Sequence, residues 1–342
     1  MKKGFNRLKG VAAASAMGVG LLGAGSGRAA TFPLSGNVNI DLVATASNRD
    51  LTAEFNGINT NMSISDWTIF ADTLTTTSSS SYVFSDAFDG ALGMSVDGVS
   101  FSNPDSNIDL TNNILTSDVH TDIVAGINAQ VQHAFIGSRG GSSMGLIRAL
   151  YSFTNTSAAA ISITVNVDGN LGSDGGTIIQ ATDSGDLIAD DNDKWTISSD
   201  QAVGVDADAF SSTDPILLIT RYGTGASVIP VQSDVIADGD GFWGNDYDLT
   251  IPAGETQRIM AFVEAHSTNT GAASSAASLE VMTPSLLADL TDIETSEIVN
   301  YSGVLAPAPS SSSSGSTDVP SLLALLGIPV LLRRFKKKKA KA

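Results

Sequence analysis

The sequence predicts an all-β fold: a large antiparallel β-sandwich with short C-terminal helices, flanked by a signal peptide and a C-terminal hydrophobic segment. Three observations carry that expectation. Residues 31–305 repeatedly alternate apolar and polar side chains with a period of two, the pattern of strands with one buried face. Clusters of Gly, Asn, Asp and Ser punctuate this alternation, and no long helical pattern interrupts it. The chain has no cysteine, so a body of this length relies on its apolar core and is long enough to form one.

The clearest strand is Ile161-Ser-Ile-Thr-Val-Asn-Val167, with β-branched residues on one face and polar ones on the other. Further strands are expected at Val38 to Val43, Met62 to Phe70, Ile127 to Ile136, Leu146 to Phe153, Thr177 to Thr182, Ile216 to Tyr222 and Arg258 to Ala265. Turn residues separate them at Asn155-Thr-Ser157, Asp168-Gly-Asn170, Asp174-Gly-Gly176 and Pro252-Ala-Gly254. Thr283-Pro284 opens a capped helix with Leu286, Leu287 and Leu290. Thr291-Asp-Ile-Glu294 is a capping box for a second helix through Val299. These helices are expected to close one end of the sandwich.

The 342 residues include 36 acidic and 18 basic side chains, but the basic ones are concentrated at the two ends. Between the ends stand only Arg49, Arg139, Arg148, Lys194, Arg221 and Arg258: six basic against 36 acidic residues, a balance of −30. Such a surface repels nucleic acid, so no nucleic-acid partner is expected. Lys2, Lys3, Arg7 and Lys9 followed by the small apolar stretch Gly10 to Gly25 form a secretory signal. Cleavage after Ala29 places the small Gly27 at the −3 position, so the signal peptide is residues 1–29 and the body 30–305. Residues 306–318 (APAPSSSSSGSTD) are a Pro/Ser/Gly linker with too little apolar surface to fold. The tail, 319–342, runs from the apolar Val319 to Leu332 into the basic Arg333-Arg-Phe-Lys-Lys-Lys-Lys339. As a helix the apolar run reaches roughly 21 Å, short of a hydrocarbon core of ~30 Å. The basic cluster resists translocation, so both ends are held on the cytoplasmic side while the body is exported. The expected location is therefore transient membrane anchoring by the C-terminus, then the cell surface or the exterior.

Val319-Pro320-Ser321-Leu322-Leu323-Ala324-Leu325-Leu326-Gly327 followed by Arg333-Arg334 resembles bacterial C-terminal sorting signals of the PEP-CTERM and GlyGly-CTERM kinds. The preceding Ser/Gly linker is similar to the GlyGly-CTERM type. No Glu-Pro follows Pro320 and no Gly-Gly pair precedes the apolar run, so the subtype stays open. The resemblance implies a membrane-bound sorting protease-transferase as partner. In the body, Leu150-Tyr-Ser-Phe-Thr-Asn-Thr-Ser157 leading into Ile161 to Val167 looks like a hairpin of secreted immunoglobulin-like β-sandwich modules. Asp248-Leu-Thr-Ile-Pro-Ala-Gly-Glu-Thr256 looks like another. They lie nearly a module length apart, which implies one enlarged sandwich or two; one is preferred.

Candidate chemistry is sparse. His120, His133 and His266 lie far apart with no metal-binding spacing, and His133 shares a strand face with Ile127, Val131 and Phe135, as a core histidine does. Gly141-Ser-Ser-Met-Gly145 matches the pattern of a hydrolase nucleophile elbow around Ser143, with His266 the one histidine downstream to act as base. The following Leu-Ile-Arg-Ala-Leu-Tyr-Ser-Phe reads as a strand where the elbow needs a helix, which favours an ordinary Gly/Ser loop. Acidic turns are more numerous. Asp238, Asp240 and Asp246, in Asp238-Gly-Asp-Gly-Phe-Trp-Gly-Asn-Asp-Tyr-Asp248, are the first choice for calcium, weighed against plain solvated turns. Trp195 and Trp243 lie in or beside such loops, where an exposed indole could stack on a sugar and a buried one would plug the core. The expected function is an exported cell-envelope or extracellular-matrix protein, non-enzymatic, structural or adhesive, in contact with polysaccharide. The alternatives are a calcium-dependent carbohydrate-binding module and a secreted hydrolase.

Overall fold

The computed structural model describes residues 30–302, apart from 34–37, 47–48, 59–61, 76–77, 85–86, 88–89, 105–106, 138, 140–141, 172–175, 208–213 and 236–240. Before residue 87 it describes side chains only at 62–64. The signal peptide, the linker and the tail lie outside the described residues, as do Asp238 and Asp240. The chain divides into a unit Met1–Ala306 and a unit Pro307–Ala342, and every described residue belongs to the first.

In chain order the strands are β1 (Ala30–Pro33), β2 (Val38–Ala46), β3 (Arg49–Ile58), β4 (Ile64–Thr75), β5 (Ser78–Phe84), β6 (Gly93–Val96), β7 (Val99–Ser100), β8 (Asn107–Thr111), β9 (Ile114–Thr116) and β10 (His120–Val124). They continue with β11 (Ile127–Gly137), β12 (Ser143–Asn155), β13 (Ile161–Asn170), β14 (Ile178–Thr182), β15 (Trp195–Ser199), β16 (Ile216–Thr220), β17 (Gln232–Val235), β18 (Phe242–Ile251) and β19 (Thr256–His266). Helix α1 (Asn269–Leu279), a 3-10 turn (Pro284–Leu286) and helix α2 (Asp292–Ser296) follow. The fold is an all-β antiparallel sandwich. A ten-stranded sheet runs β1-β8-β9-β11-β12-β19-β16-β15-β14, with β10 added on β11; a five-stranded sheet runs β17-β18-β13-β6-β7; a four-stranded sheet runs β2-β3-β4-β5. An isolated bridge of two hydrogen bonds, Ile64 N to Ala91 O at 2.9 Å and Ala91 N to Ile64 O at 2.8 Å, ties the start of β4 to the segment just before β6.

The core between the ten- and five-stranded sheets contains Val131, Ala149, Tyr151, Phe153 and Val263 from one side and Ile163, Val165, Val167, Tyr247 and Leu249 from the other. A second core lies on the opposite face of the ten-stranded sheet, where Leu146, Leu150, Leu218, Met260 and Phe262 pack with Ala272, Ala276, Leu279, Leu286 and Tyr301. The large sheet is thus covered on both faces over β12, β19, β16 and β15, and β12, β16 and β19 are buried almost throughout. That explains why these strands read as near-continuous apolar runs while β13 and β18, with one face in water, alternate cleanly.

Three sequence expectations need correction. Neither segment likened to a hairpin is one. β12 and β19 pair with each other in the large sheet, β13 and β18 pair with each other in the small one, and both turns cross between sheets. The helices do not close an end of the sandwich; they lie across the outer face of the large sheet. Their number and extent also differ. The Thr283-Pro284 helix is a single 3-10 turn, and the second ends at Ser296 although its capping box forms as expected. Helix α1 was not expected, because Asn-Thr-Gly-Ala-Ala-Ser-Ser-Ala-Ala-Ser-Leu reads as a loop. Its small Ala272 and Ala276, with Leu279, form a buried stripe at helical spacing, and Thr268 caps it by accepting from Gly271 N–H.

Four basic side chains pin this helical layer to the sheet. Arg148, fully buried on β12, holds Asp289 at 2.5 Å and donates to Leu286 O at 2.9 Å. Arg258 on β19 holds Glu297 at 2.8 Å. Lys194 bridges Asp183 at 2.9 Å and Glu280 at 3.2 Å. Arg139 donates to Ser275 and Ser278 of α1.

Candidate functional site

The outer face of β13 and β18 carries the best candidate site. Strand alternation sends Ile163, Val165 and Val167 inward with Trp243, Tyr247, Leu249 and Ile251, and leaves polar residues outside. Antiparallel register sets these opposite one another, Ser162 against Thr250, Thr164 against Asp248 and Asn166 against Asp246. Each pair is hydrogen-bonded. The Ser162 and Thr250 hydroxyls lie 3.0 Å apart, Thr164 Oγ1 donates to Asp248 at 2.7 Å, and Asn166 Nδ2 donates to Asp246 at 2.6 Å.

The ladder breaks at Asp168. Its partners are Gly244 on one side and Gly93 on the other, so no side chain reaches it from either strand. Among the described residues nothing hydrogen-bonds its carboxylate. A Cβ at Gly93 would meet Asp168 Oδ1 at 2.7 Å, so glycine there is what leaves room for the carboxylate. The result is a groove of about 160 Å³ lined by Ser63, Gly90, Gly93, Met94, Ser95, Ser100 and Asp168. Gly169 lets the segment at Gly90 and Ala91 cross closely over β13, since a Cβ there would lie 2.8 Å from Ala91 Cα. Asp168 is exposed at the surface, but the groove walls exclude enough water that burial is the main cause raising its carboxyl above the ordinary value. The negative charge of Asp246, diagonal to it across the strand pair, adds to the rise. Phe242, also diagonal to Asp168, is 51 % exposed on the same face. An aromatic face, an unengaged carboxyl, a carboxylate–amide pair and serine hydroxyls therefore share one surface, which can stack on a ring and exchange hydrogen bonds with hydroxyls.

The sequence-predicted ligand residues fall differently. Trp243 is 3 % exposed and points into the sandwich core, so a sugar could stack on it only by unpacking that core; Phe242, its neighbour, takes the outward position. Trp195 is half-buried, and its Nε1–H donates to Glu280 at 3.1 Å. Of the calcium candidates, Asp246 is committed to Asn166 on the sheet face. Among the described residues no group of three or more His, Asp or Glu side chains is gathered to hold a metal ion. Phe242 was not picked out by sequence reasoning, and Asp168 was read as an acidic turn residue, although β13 runs on through Asn170 and alternation along each strand places both outward.

A second polar cluster lies at the edge of the helix-covered face. Ser142 Oγ is 3.1 Å from His266 Nδ1, and His266 Nε2 is 3.3 Å from Glu264 Oε2 without the alignment of a hydrogen bond. Ser143 and Ser275 both donate to Glu264, and Arg139 lies 3.6 Å away. Burial pushes the Glu264 carboxyl up, but the neighbouring His266 ring together with the two serines outweighs it and holds the carboxyl below its ordinary value. The serine, histidine and acid stand in the order of a hydrolase triad, yet the site is closed. Ser142 Oγ occupies the space a Cβ on Gly271 would need, and His266 and Glu264 are buried. Ser143 begins a strand and is engaged by Glu264, unlike an elbow nucleophile. His133 is a core residue. Its Nε2 donates to Met62 O at 2.7 Å, and burial lowers its pKa to about 4.

No protein-family model matches the chain, and no curated protein matches it. Several solved structures do so at low identity. A polysaccharide lyase is 15 % identical over 68 % of this chain and 35 % of its own, with a TM-score of 0.35, so the chain spans about a third of that protein. A candidate aldose 1-epimerase from Klebsiella pneumoniae subsp. pneumoniae is 8 % identical over 82 % of this chain and 100 % of its own, TM-score 0.32. A galactose mutarotase-like protein from Lactobacillus casei is 9 % identical over 66 % of this chain and 100 % of its own, TM-score 0.33.

Proposed function

We propose that this chain is an exported cell-envelope or extracellular-matrix protein with a structural or adhesive, non-enzymatic role, and that it contacts polysaccharide through the outer face of β13 and β18. The observation that carries the polysaccharide contact is the combination on that face of exposed Phe242, unengaged Asp168 and the Asn166–Asp246 pair beside an open groove. Sugars bind through weak stacking and many hydroxyl hydrogen bonds, which a broad polar sheet face supplies without a deep pocket. The −30 balance between the chain ends supports a hydrated exterior setting. The terminal sequences support export and delivery by a membrane-bound sorting protease-transferase.

Two measurements test this reading. Co-sedimentation of the protein with a panel of insoluble polysaccharides should show retention that Phe242→Ala together with Asp246→Ala reduces at least tenfold; no retention on any polymer refutes the contact. Intact-mass analysis of protein recovered from the envelope should show cleavage after Ala29 and loss or modification of the tail. An unprocessed chain recovered from cytosol refutes the sorting.

A further inference from the structure

Resting on the polysaccharide reading above, we infer that the groove beside Asp168 is a subsite for uncharged, hydroxyl-rich sugar units and selects against uronate- or sulfate-bearing glycans. Asp97, Asp168, Asp246 and Asp248 all stand on or at the edge of this face. Every basic residue whose side chain is described is engaged elsewhere: Arg139, Arg148, Lys194 and Arg258 hold the helical layer, and buried Arg221 donates to Asn245 and Asp193 O. An anionic sugar would enter a field of carboxylates with no cation among the described side chains to pair it, and like charges at close range are repulsive.

The groove's other walls are neutral, serines and glycines with Met94. Ser95 and Ser100 offer hydroxyls that both donate and accept, and Asp168 presents a carboxyl to which no described group donates. Neutral hydroxyls match that set, because each can donate to the carboxyl and accept from a serine. Its volume, about 160 Å³, suits part of one sugar unit rather than a buried oligosaccharide. The exposed ring of Phe242, diagonal to Asp168, is placed to receive the apolar face of a neighbouring unit.

The test compares three polymers: curdlan as neutral probe, polygalacturonate as anionic probe and chitosan as cationic probe. Each is used at about 0.02 M and at about 0.5 M salt, a step that shortens the Debye length roughly fivefold. The full chain is expected to bind curdlan with little salt dependence and to leave polygalacturonate in solution. Asp168→Leu should weaken curdlan binding at least tenfold and Asp168→Asn, which keeps hydrogen-bonding atoms without charge, no more than about threefold. Gly93→Ala, which forces the Asp168 carboxylate out of its place without straining the backbone, should weaken it by a factor comparable to Asp168→Leu. Thermal unfolding of each variant checks that the fold is kept. Curdlan binding unchanged in Asp168→Leu and Gly93→Ala overturns the subsite while leaving the polysaccharide contact standing. Binding to polygalacturonate, or to chitosan alone with loss at the higher salt, overturns the uncharged class and again leaves the contact standing. Binding to none of the three overturns both.

Discussion

Asn155 should be the most costly polar side chain to remove from the region that supports the candidate site. It is fully buried where the two sheet-crossing turns meet, and every polar atom of its side chain is engaged. Nδ2 donates to Ala159 O and Ile251 O, both at 2.8 Å, and Oδ1 accepts from Ser157 N–H at 2.9 Å and Ser157 Oγ at 2.8 Å. Its backbone ties to the other turn, with Asn155 N donating to Glu255 O at 3.0 Å and its carbonyl accepting from Gly254 N at 2.9 Å. Asn155→Ala removes four hydrogen bonds: the two donated to the Ala159 and Ile251 carbonyls cost about 1 kcal/mol each, and the two accepted from Ser157 about 1 kcal/mol together. A total of about 3 kcal/mol corresponds to a fall in Tm of about 6–12 °C for a body of this size. Asn155→Asp should be worse at neutral pH, because a carboxylate would face the Ala159 and Ile251 carbonyls, and should recover partly in acid as it gains a proton to donate. Thermal and urea unfolding followed by circular dichroism measure the loss, and hydrogen exchange should rise in both turns together. A loss below about 1 kcal/mol for Asn155→Ala refutes the claim that this side chain couples the crossings.

Two further outcomes arise from buried charge. His133 is neutral in the fold with a pKa of about 4 against 6.5 when unfolded, so the unfolded chain binds more protons between those values. Stability should therefore fall by about 3 kcal/mol as pH drops from 6.5 to 4, and His133→Gln should flatten that part of the Tm–pH curve; an unchanged slope refutes the assignment. Asp289→Ala leaves the Arg148 guanidinium buried without its counter-charge and should cost about 3 kcal/mol, whereas Arg148→Met, which removes the charge and keeps bulk, should cost less. Urea unfolding ranks the two, and the reverse order refutes this account of the pair.

The strands were legible in the sequence where one face meets water. β13 and β18 alternate because Ile163, Val165, Val167, Tyr247, Leu249 and Ile251 face the core while their neighbours do not. The same rule, carried two residues back from Tyr247 and Asn245, turns Trp243 inward and Phe242 outward; reading the loop as one acidic segment hid it. What local sequence could not supply was pairing. Asn155-Thr-Ser157 and Pro252-Ala-Gly254 are good turn sequences for a hairpin and for a sheet crossing alike, and the choice between them is made by β12 pairing with β19 and β13 with β18, about a hundred residues apart. Asp168 owes its isolation to that register, which brings Gly244 and Gly93 against it from distant parts of the chain. Helix α1 escaped notice for a different reason. Its residues are weak helix signals singly, and it is held by tertiary contacts of Ala272, Ala276 and Leu279 on a sheet face that was expected to be in water.

The placement of the basic residues joins fold to function. A helical layer of small and polar residues gains little from burial alone, and α1 has a narrow apolar stripe. Arg139, Arg148, Lys194 and Arg258 supply directed contacts that hold that layer on the large sheet. Once it is held there, the β12, β19, β16 and β15 part of the large sheet has no open face, whereas the five-stranded sheet turns the polar side of β13 and β18 to water. With the described cations committed to the interior and to the helical layer, that surface is left acidic and hydroxyl-bearing. The scarcity of basic residues in the body thus has a structural use and a functional consequence: the same few charges that secure the back of the sandwich are absent from its front, which disposes the front toward neutral rather than anionic ligands.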